Sequence, residues 1–283
     1  MPQNALTADG WRLTSPDALK LLEKIRSAGK PLGEYVKGRF YRGITTGLNE
    51  AFVVDSETRD KLIAEHPSSS VVLKPFLRGR DVKRWRVEDT GLYLCYVGWS
   101  LPIEEYPAIY AHLKGFEEKL KARPEVEQGR VPWYALSRYA SDYWQEFENF
   151  KIVYPDIAVS PQFAYDERGA YGGNTMYIVP TKEMWLFGLL NSKAVFWFYT
   201  KTSTQIRGGF VRFISQYVSQ IPIPSIQPTQ KVQIGKLVNQ ILAAKRVDPD
   251  ADVSELENEI DQIVYSLYDL THEEIAIAEE NTV

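Results

Sequence analysis

Tyr41-Arg42-Gly43-Ile44-Thr45-Thr46-Gly47-Leu48-Asn49-Glu50-Ala51-Phe52, followed by Leu73-Lys74-Pro75-Phe76-Leu77-Arg78-Gly79-Arg80-Asp81-Val82-Lys83-Arg84-Trp85, is the stretch around which the chain is organised. Its first half predicts a strand, a turn and a second strand. Gly43 and Gly47 allow a positive φ or a close approach of backbones, and Thr45, Thr46 and Asn49 set small hydrogen-bonding groups on the turn. The second half gathers Arg78, Arg80, Lys83, Arg84 and Arg86 around one acid, Asp81, and Gly79 interrupts the run. Local chemistry leaves two readings even: a β-hairpin followed by a basic surface loop, or a surface that meets nucleic acid.

The pattern resembles a family. G-x-T-G-x-N-x-A-F over 43–52 and L-K-P-x-L-R-G-R-D-x-x-R-W over 73–85 are similar to the TaqI-like C-terminal specificity domain. That domain is the target-recognition part of type IIG restriction–modification enzymes and related adenine-N6 DNA methyltransferases. Five further stretches extend the resemblance: Arg123 with Trp133-Tyr134-Ala135-Leu136-Ser137-Arg138; Lys151-Ile152-Val153-Tyr154-Pro155-Asp156-Ile157; Trp185 to Ser192; Ile221-Pro222-Ile223-Pro224; and Leu256 to Ile275. It implies an α+β fold: a mixed, twisted β-sheet recognition domain with a buried helix, then a C-terminal helical hairpin. The expected boundaries are a helical connector over 1–38, the recognition domain over 39–225 and a helical region over 226–283.

Composition is that of an ordinary globular chain, 44% hydrophobic and 25% charged. The net charge of −4 hides an asymmetry. No Lys or Arg follows Arg246, so residues 1–246 hold all 33 bases against 25 acids, a net of +8, ahead of an acidic tail. Such a split suits a body that meets phosphate, and equally an ordinary charged surface. The single cysteine, Cys95, excludes a disulfide framework; it lies in an apolar run and is expected to be a buried thiol. Met1–Asp9 is polar, unlike a signal peptide, and Met184–Tyr199 is broken by Asn191-Ser192-Lys193, so no membrane span is expected. A prokaryotic cytoplasm is the expected location.

Along the chain, Ser15-Pro16-Asp17 predicts a helix start, with Leu19, Leu22 and Ile25 or Leu21 inward and Gly29 as the stop. Ala51–Asp55 reads as a strand, Ser56–Glu65 as a helix capped by Ser56, and Val71–Leu73 as a strand. Leu92–Val97 is a continuous apolar strand suited to a sheet covered on both faces. Glu104–Arg123 predicts one helix with Ile109, Leu113, Phe116 and Leu120 on its buried stripe. A strand at 150–157 precedes a hairpin made of Phe163–Asp166 and Met176–Val179. Asn191 and Ser192 should satisfy backbone at a helix break. In the tail, Ser254-x-x-Glu257 and Thr271-x-x-Glu274 both have capping-box spacing.

Catalytic and metal motifs are missing from the sequence. There is no glycine-rich cofactor loop, no N-P-P-Y-like motif, no H-E-x-x-H and no Walker loop. His66, His112 and His272 sit in surface-like settings, and Pro155-Asp156 lacks a following (D/E)-x-K of nuclease spacing. Hence no catalytic residue, metal ligand or cofactor is assigned to the chain itself. The resemblance implies S-adenosylmethionine for a parent enzyme, with double-stranded DNA and a methyltransferase domain or subunit as partners. Arg42, Thr45, Thr46, Asn49, Arg78, Arg80, Lys83, Arg84, Arg138, Gln205, Arg207 and Arg212 are the expected DNA-binding residues. Lys and Arg would anchor phosphates; the Thr45–Asn49 turn and the Gln205–Arg212 loop would read base edges. A protein-interaction module or split specificity subunit is the alternative. An enzyme with a site around Asp156 and Glu183, and an RNA binder, rank below it.

Overall fold

A computed structural model describes residues 15–279; the polar stretch at Met1–Asp9 lies outside them. The first helix, Pro16–Ser27, starts as expected, with the Ser15 hydroxyl accepting from the Ala18 amide. Its buried positions are Ala18, Leu21 and Ile25, whereas Leu19 faces out. The strands follow in chain order as β1 Gly29–Pro31, β2 Tyr41–Arg42, β3 Val53–Asp55, β4 Leu73–Leu77, β5 Val82–Lys83, β6 Arg86–Val87, β7 Leu92–Cys95 and β8 Lys151–Pro155. They continue as β9 Ile157–Ala158, β10 Ala164–Asp166, β11 Tyr171–Gly172, β12 Met176–Pro180, β13 Gln205–Ile206, β14 Phe210–Arg212 and β15 Pro222–Pro224. The α+β class is as expected, but the strands divide among several small sheets rather than one.

Two four-stranded sheets carry the architecture, in the orders β10-β8-β12-β2 and β11-β4-β7-β3. The first lies between two hydrophobic cores. Ile152, Tyr154, Tyr177 and Val179 point into one, and Val153, Ala164, Met176 and Ile178 into the other. Alternate residues of a strand face opposite ways, so β12 throughout, and β8 beyond Lys151, must be apolar. The first core is closed by the helices Met184–Leu190, Lys193–Thr202, Pro228–Val247 and Ser254–Leu267; the second by β3, β4, β7 and the helices Pro107–Lys114 and Glu117–Lys121. One charged pair crosses β8 and β10: Lys151 Nζ donates to Asp166 Oδ2 at 2.6 Å with both side chains fully buried. Asp166 also accepts the Ala170 and Arg168 amides, which satisfies the remaining lone pairs of a buried carboxylate.

Several expectations are corrected. Residues 41–55 are not a hairpin: β2 pairs with β12 and β3 with β7, in different sheets. After β2 the chain crosses the 172–176 turn instead of doubling back. Gly43 N donates to Met176 O, and a Cβ on Gly43 would lie 2.0 Å from the Gly173 carbonyl oxygen. Asn49–Phe52 is a helical turn, and Ser69–Val72 another, so their strands begin at Val53 and Leu73. Likewise β10 and β12 do not pair with each other, because β8 lies between them. The helix expected over 104–123 breaks at Gly115, a poor helix residue, yet Ile109, Leu113 and Leu120 stay buried in one core. Asp55, not Ser56, caps the helix Ser56–Glu65. His112 is half-buried against the Ala51 carbonyl. Ile221–Pro224 supplies β15, which pairs antiparallel with β1.

The helix Met184–Leu190 is buried at every position from Trp185 onward, as its sequence implies. Asn191 then satisfies the backbone of Phe163, just before β10, donating to Phe163 O and accepting from Phe163 N, while Ser192 caps the next helix. In the tail, Thr271 and Glu274 form the expected reciprocal capping box. Ser254 and Glu257 do not. The Ser254 hydroxyl turns back to Asp252, and Glu257 is drawn to Arg84 and Trp85. The last helix, His272–Glu279, packs against Pro16–Ser27, with Lys24 Nζ 2.6 Å from Glu274.

Candidate nucleic-acid interface

Two adjoining clefts open on one face. The first, about 520 Å³, is lined by Asn49, Arg78, Arg80, Lys83, Asp156 and Asn174 among others. The second, about 580 Å³, is lined by Arg42, Thr45, Trp99, Arg130, Arg138 and again Asn174. Asn174 stands on the ridge between them, and the Arg42 guanidinium Nε donates to its carbonyl at 3.0 Å.

The basic motif divides its work between frame and surface. Arg78 forms two parallel bonds with Asp81 (Nε–Oδ2 2.8 Å, Nη2–Oδ1 2.8 Å), and the Asp81 carboxylate also accepts the Arg78 amide. Asp81 is buried, so this pair fixes the loop. Gly79 sits too close to Thr175 O for any side chain, 2.4 Å from an added Cβ. Arg80, between them, projects outward with no carboxylate within ion-pair distance among the described residues. Lys83 reaches only loosely toward Glu88, at 3.9 Å. Arg84 turns the other way: it donates to Asn191 O at 2.8 Å and faces Glu257 at 3.3 Å.

The Thr45–Asn49 turn is built around Arg123. Its buried guanidinium donates to the carbonyls of Leu120, Thr46, Trp133 and Ala135 and to the Ser137 hydroxyl. Burial pushes this guanidinium below its ordinary range, with Glu125 pulling the other way. Thr45 and Arg138 exchange both backbone hydrogen bonds, at 3.0 and 2.9 Å, which sets the Arg138 side chain on the surface beside the turn. Thr46 is buried and its hydroxyl donates to Asn49 Oδ1 at 2.6 Å. In sequence Arg123 stands out only with Trp133–Arg138 as a stretch of the resemblance; its place at the hub of the Thr45–Asn49 turn, far away in sequence, is not marked there.

The Gln205–Arg212 loop is a hairpin. β13 and β14 pair across Arg207-Gly208-Gly209, where both glycines take positive φ, +87° and +79°. Strand β14 continues onto β9, and Phe213 N donates to Asp156 O at 2.8 Å. Gln205, Arg207 and Arg212 are all exposed, and the Gln205 amide donates to Thr200 O.

Pairing separates this face from the rest. Elsewhere arginines meet carboxylates: Arg26 with Glu23, Arg39 with Glu146, Arg59 with Asp60, Arg168 with Asp89, Arg246 with Glu167. Among the described residues, the exposed arginines lacking a carboxylate within 4 Å are Arg42, Arg80, Arg130, Arg138, Arg207 and Arg212. They come from distant stretches and lie along the clefts or on the adjoining hairpin. Sequence reasoning missed Arg130, Gln162 and Asn174, since nothing in their local pattern marks them. Among the described residues no cluster of His, Cys, Asp and Glu could hold a metal ion, and no helix is long and apolar enough to cross a membrane.

Comparison with known proteins fits this geometry. The family model of the TaqI-like C-terminal specificity domain matches residues 74–223, more than half of the chain, and the chain belongs to that family. It is 25% identical over 272 residues to the type II methyltransferase M.PaeR7I of Pseudomonas aeruginosa, covering 94% of this chain and 44% of that protein. It is 26% identical over 239 residues to M.BanIII of Aneurinibacillus aneurinilyticus, covering 78% and 40%. The chain thus spans under half the length of these relatives. Its fold is shared with the type IIL restriction-modification enzyme MmeI, solved in complex with DNA, at a TM-score of 0.60 and 18% identity over 84% of this chain and 34% of that one.

Proposed function

We propose that this chain is the target-recognition part of a restriction–modification methyltransferase, binding double-stranded DNA in a sequence-specific way. The observation that carries the reading is the gathering of carboxylate-free arginines along two clefts and a hairpin, on the scaffold of a specificity-domain family. Arg42, Arg80, Arg130, Arg138, Arg207 and Lys83 would neutralise phosphates and set the register. Thr45, Asn49, Gln205 and Arg212 carry the groups suited to base edges. Arg78, Arg84 and Thr46, engaged by Asp81, Glu257 and Asn49, hold the frame.

Bound this way, the chain would present a target adenine to a methyltransferase domain or subunit, which supplies S-adenosylmethionine and the groups that hold the flipped base. The cytoplasm, where such a system meets its DNA, is the expected place of action. The test is selection from a random-sequence duplex pool at two salt concentrations, with sequencing of what is retained. Enrichment of a short motif with steep salt dependence supports the proposal. Salt-dependent retention without enrichment reduces the chain to a basic surface. No retention of any duplex overturns the proposal and favours a protein-interaction module.

A further inference from the structure

Asp156 is an acid in the wrong company. It is the single carboxylate lining the first cleft among the described residues, amid Arg78, Arg80 and Lys83. On a surface that meets phosphates a bare carboxylate repels the ligand, so it needs either a cation to neutralise it or a donor to receive. No described Lys or Arg lies within ion-pair distance, and among the described residues no side chain donates to its carboxylate. Arg42 and Arg212 act on it from farther off, and burial pushes its carboxyl above the ordinary carboxylate range despite them.

Its position is fixed from both sides. Asp156 N donates to Thr175 O at 2.9 Å, and Asp156 O accepts from Phe213 N at 2.8 Å. The residue is therefore locked between the turn at 173–175 and the end of the 205–212 hairpin, in the short link from β8 to β9. Both main-chain groups are satisfied, and the half-buried side chain lines the cleft; its own amide pulls on the carboxylate, and no other residue's side chain donates to it among the described residues. A rigidly held, acceptor-only group loses little entropy on receiving a hydrogen bond. Duplex DNA offers donors of the right kind in the major groove, on the exocyclic amines of cytosine and adenine, and a carboxylate accepts from the cytosine amine.

Resting on the DNA-reading proposal above, we propose that Asp156 is a specificity-determining residue that accepts a hydrogen bond from an exocyclic base amine, cytosine N4 or adenine N6, at one position of the target. Neighbouring Asn174, Gln162 and Asn49 line the same cleft and would read adjoining edges or hold water there.

The experiment is the random-duplex selection repeated with Asp156→Ala and Asp156→Asn, each first checked for an unchanged thermal unfolding midpoint. The Asn variant preserves side-chain volume and guards against a folding defect in the Ala variant. The expected result is that both variants keep the salt dependence and the remaining motif. Discrimination in favour of one cytosine or adenine should fall by roughly tenfold in Asp156→Ala, and should change at that same position in Asp156→Asn, whose amide oxygen still accepts but whose NH2 now also donates. If both variants enrich the wild-type motif with full stringency, the Asp156 assignment is overturned while DNA reading stands. Uniformly altered affinity with no change at any one position also overturns it. A wild-type chain that enriches no motif overturns both proposals together.

Discussion

Arg84 and Glu257 face each other at 3.3 Å across 173 positions of sequence, joining the basic motif to the helix Ser254–Leu267. The same Glu257 carboxylate accepts the indole N–H of Trp85, a buried residue held at φ +68°. One carboxylate therefore holds two consecutive residues of the motif, and this explains why Glu257 leaves its local capping position. An ion pair together with an indole hydrogen bond at the mouth of a core is worth more than one cap bond on an exposed helix end.

Glu257→Ala should accordingly destabilise the fold by about 1–3 kcal/mol, since it strands a guanidinium and an indole N–H together. Arg84→Ala should cost a similar amount. The double variant should cost less than the sum, a coupling visible in urea unfolding midpoints. Neither variant should change the salt dependence of DNA binding. Additive losses, or a lowered salt slope for Arg84→Ala, would show instead that Arg84 works on phosphate.

Gly47 and Arg123 form a second such unit. Gly47 has φ +80°, and a Cβ there would lie 2.1 Å from Ser137 Oγ and 2.8 Å from Arg123 Nη1. Gly47→Ala must therefore strain the turn and displace the guanidinium, costing on the order of 2 kcal/mol. Arg123→Lys retains the charge but cannot reach several carbonyls in one plane, so it should lower the unfolding midpoint nearly as far as Arg123→Ala. A lysine variant that melts like the wild type would remove Arg123 as the organiser of the turn.

What the sequence makes legible follows from the range of the forces involved. The Ser15 start, the Thr271–Glu274 box and the all-round apolar helix from Trp185 are local or composition-driven, and each stands where its residues predict. Pairing partners are not local. Residues 41–55 and 163–179 have the alternation of hairpins, yet β2 and β10 pair through partners supplied by β12 and β8. The candidate surface is legible only in part for the same reason. Arg80 and Arg138 stand out in their motifs, whereas Asn174 and Arg130 join the clefts because a turn and a loop from elsewhere arrive there.

Asp261 makes the stability of the C-terminal packing depend on pH. It is 2% exposed; one oxygen accepts the Lys193 amide at 2.8 Å and the other has no hydrogen-bond partner. Burial raises its carboxyl to about 6, against the pull of the Lys193 amide, Lys193 and Arg84. In the unfolded chain the same group titrates near 4. Between pH 4 and 6 the folded form holds a proton that the unfolded form has released, so this group's contribution falls as pH rises through that window. A shift of this size amounts to on the order of 3 kcal/mol. Asp261→Asn, which cannot titrate, should flatten that part of the profile in urea midpoints taken from pH 4 to 7. A wild-type-minus-variant difference that does not change with pH counts against the assignment.

Arg80→Ala and Arg138→Ala bear on the surface itself. Each side chain is exposed and lacks a carboxylate partner among the described residues, so its removal should leave the unfolding midpoint within about 0.5 kcal/mol of the wild type. Each neutralises about one phosphate in the proposed complex, and its loss should lower the slope of log K against log salt by about 1. Affinity should fall almost equally for all duplexes, because phosphate contacts carry no sequence information. Arg212→Ala makes the contrast: Arg212 lies at the foot of the hairpin, paired with Ile157 next to Asp156, and its loss should relax preference at one base pair by about 1–3 kcal/mol. Titration of the three variants against one selected and one scrambled duplex at two salt concentrations separates the two kinds of contact. If Arg80→Ala and Arg138→Ala leave the slope unchanged, the clefts do not lie against the phosphate backbone.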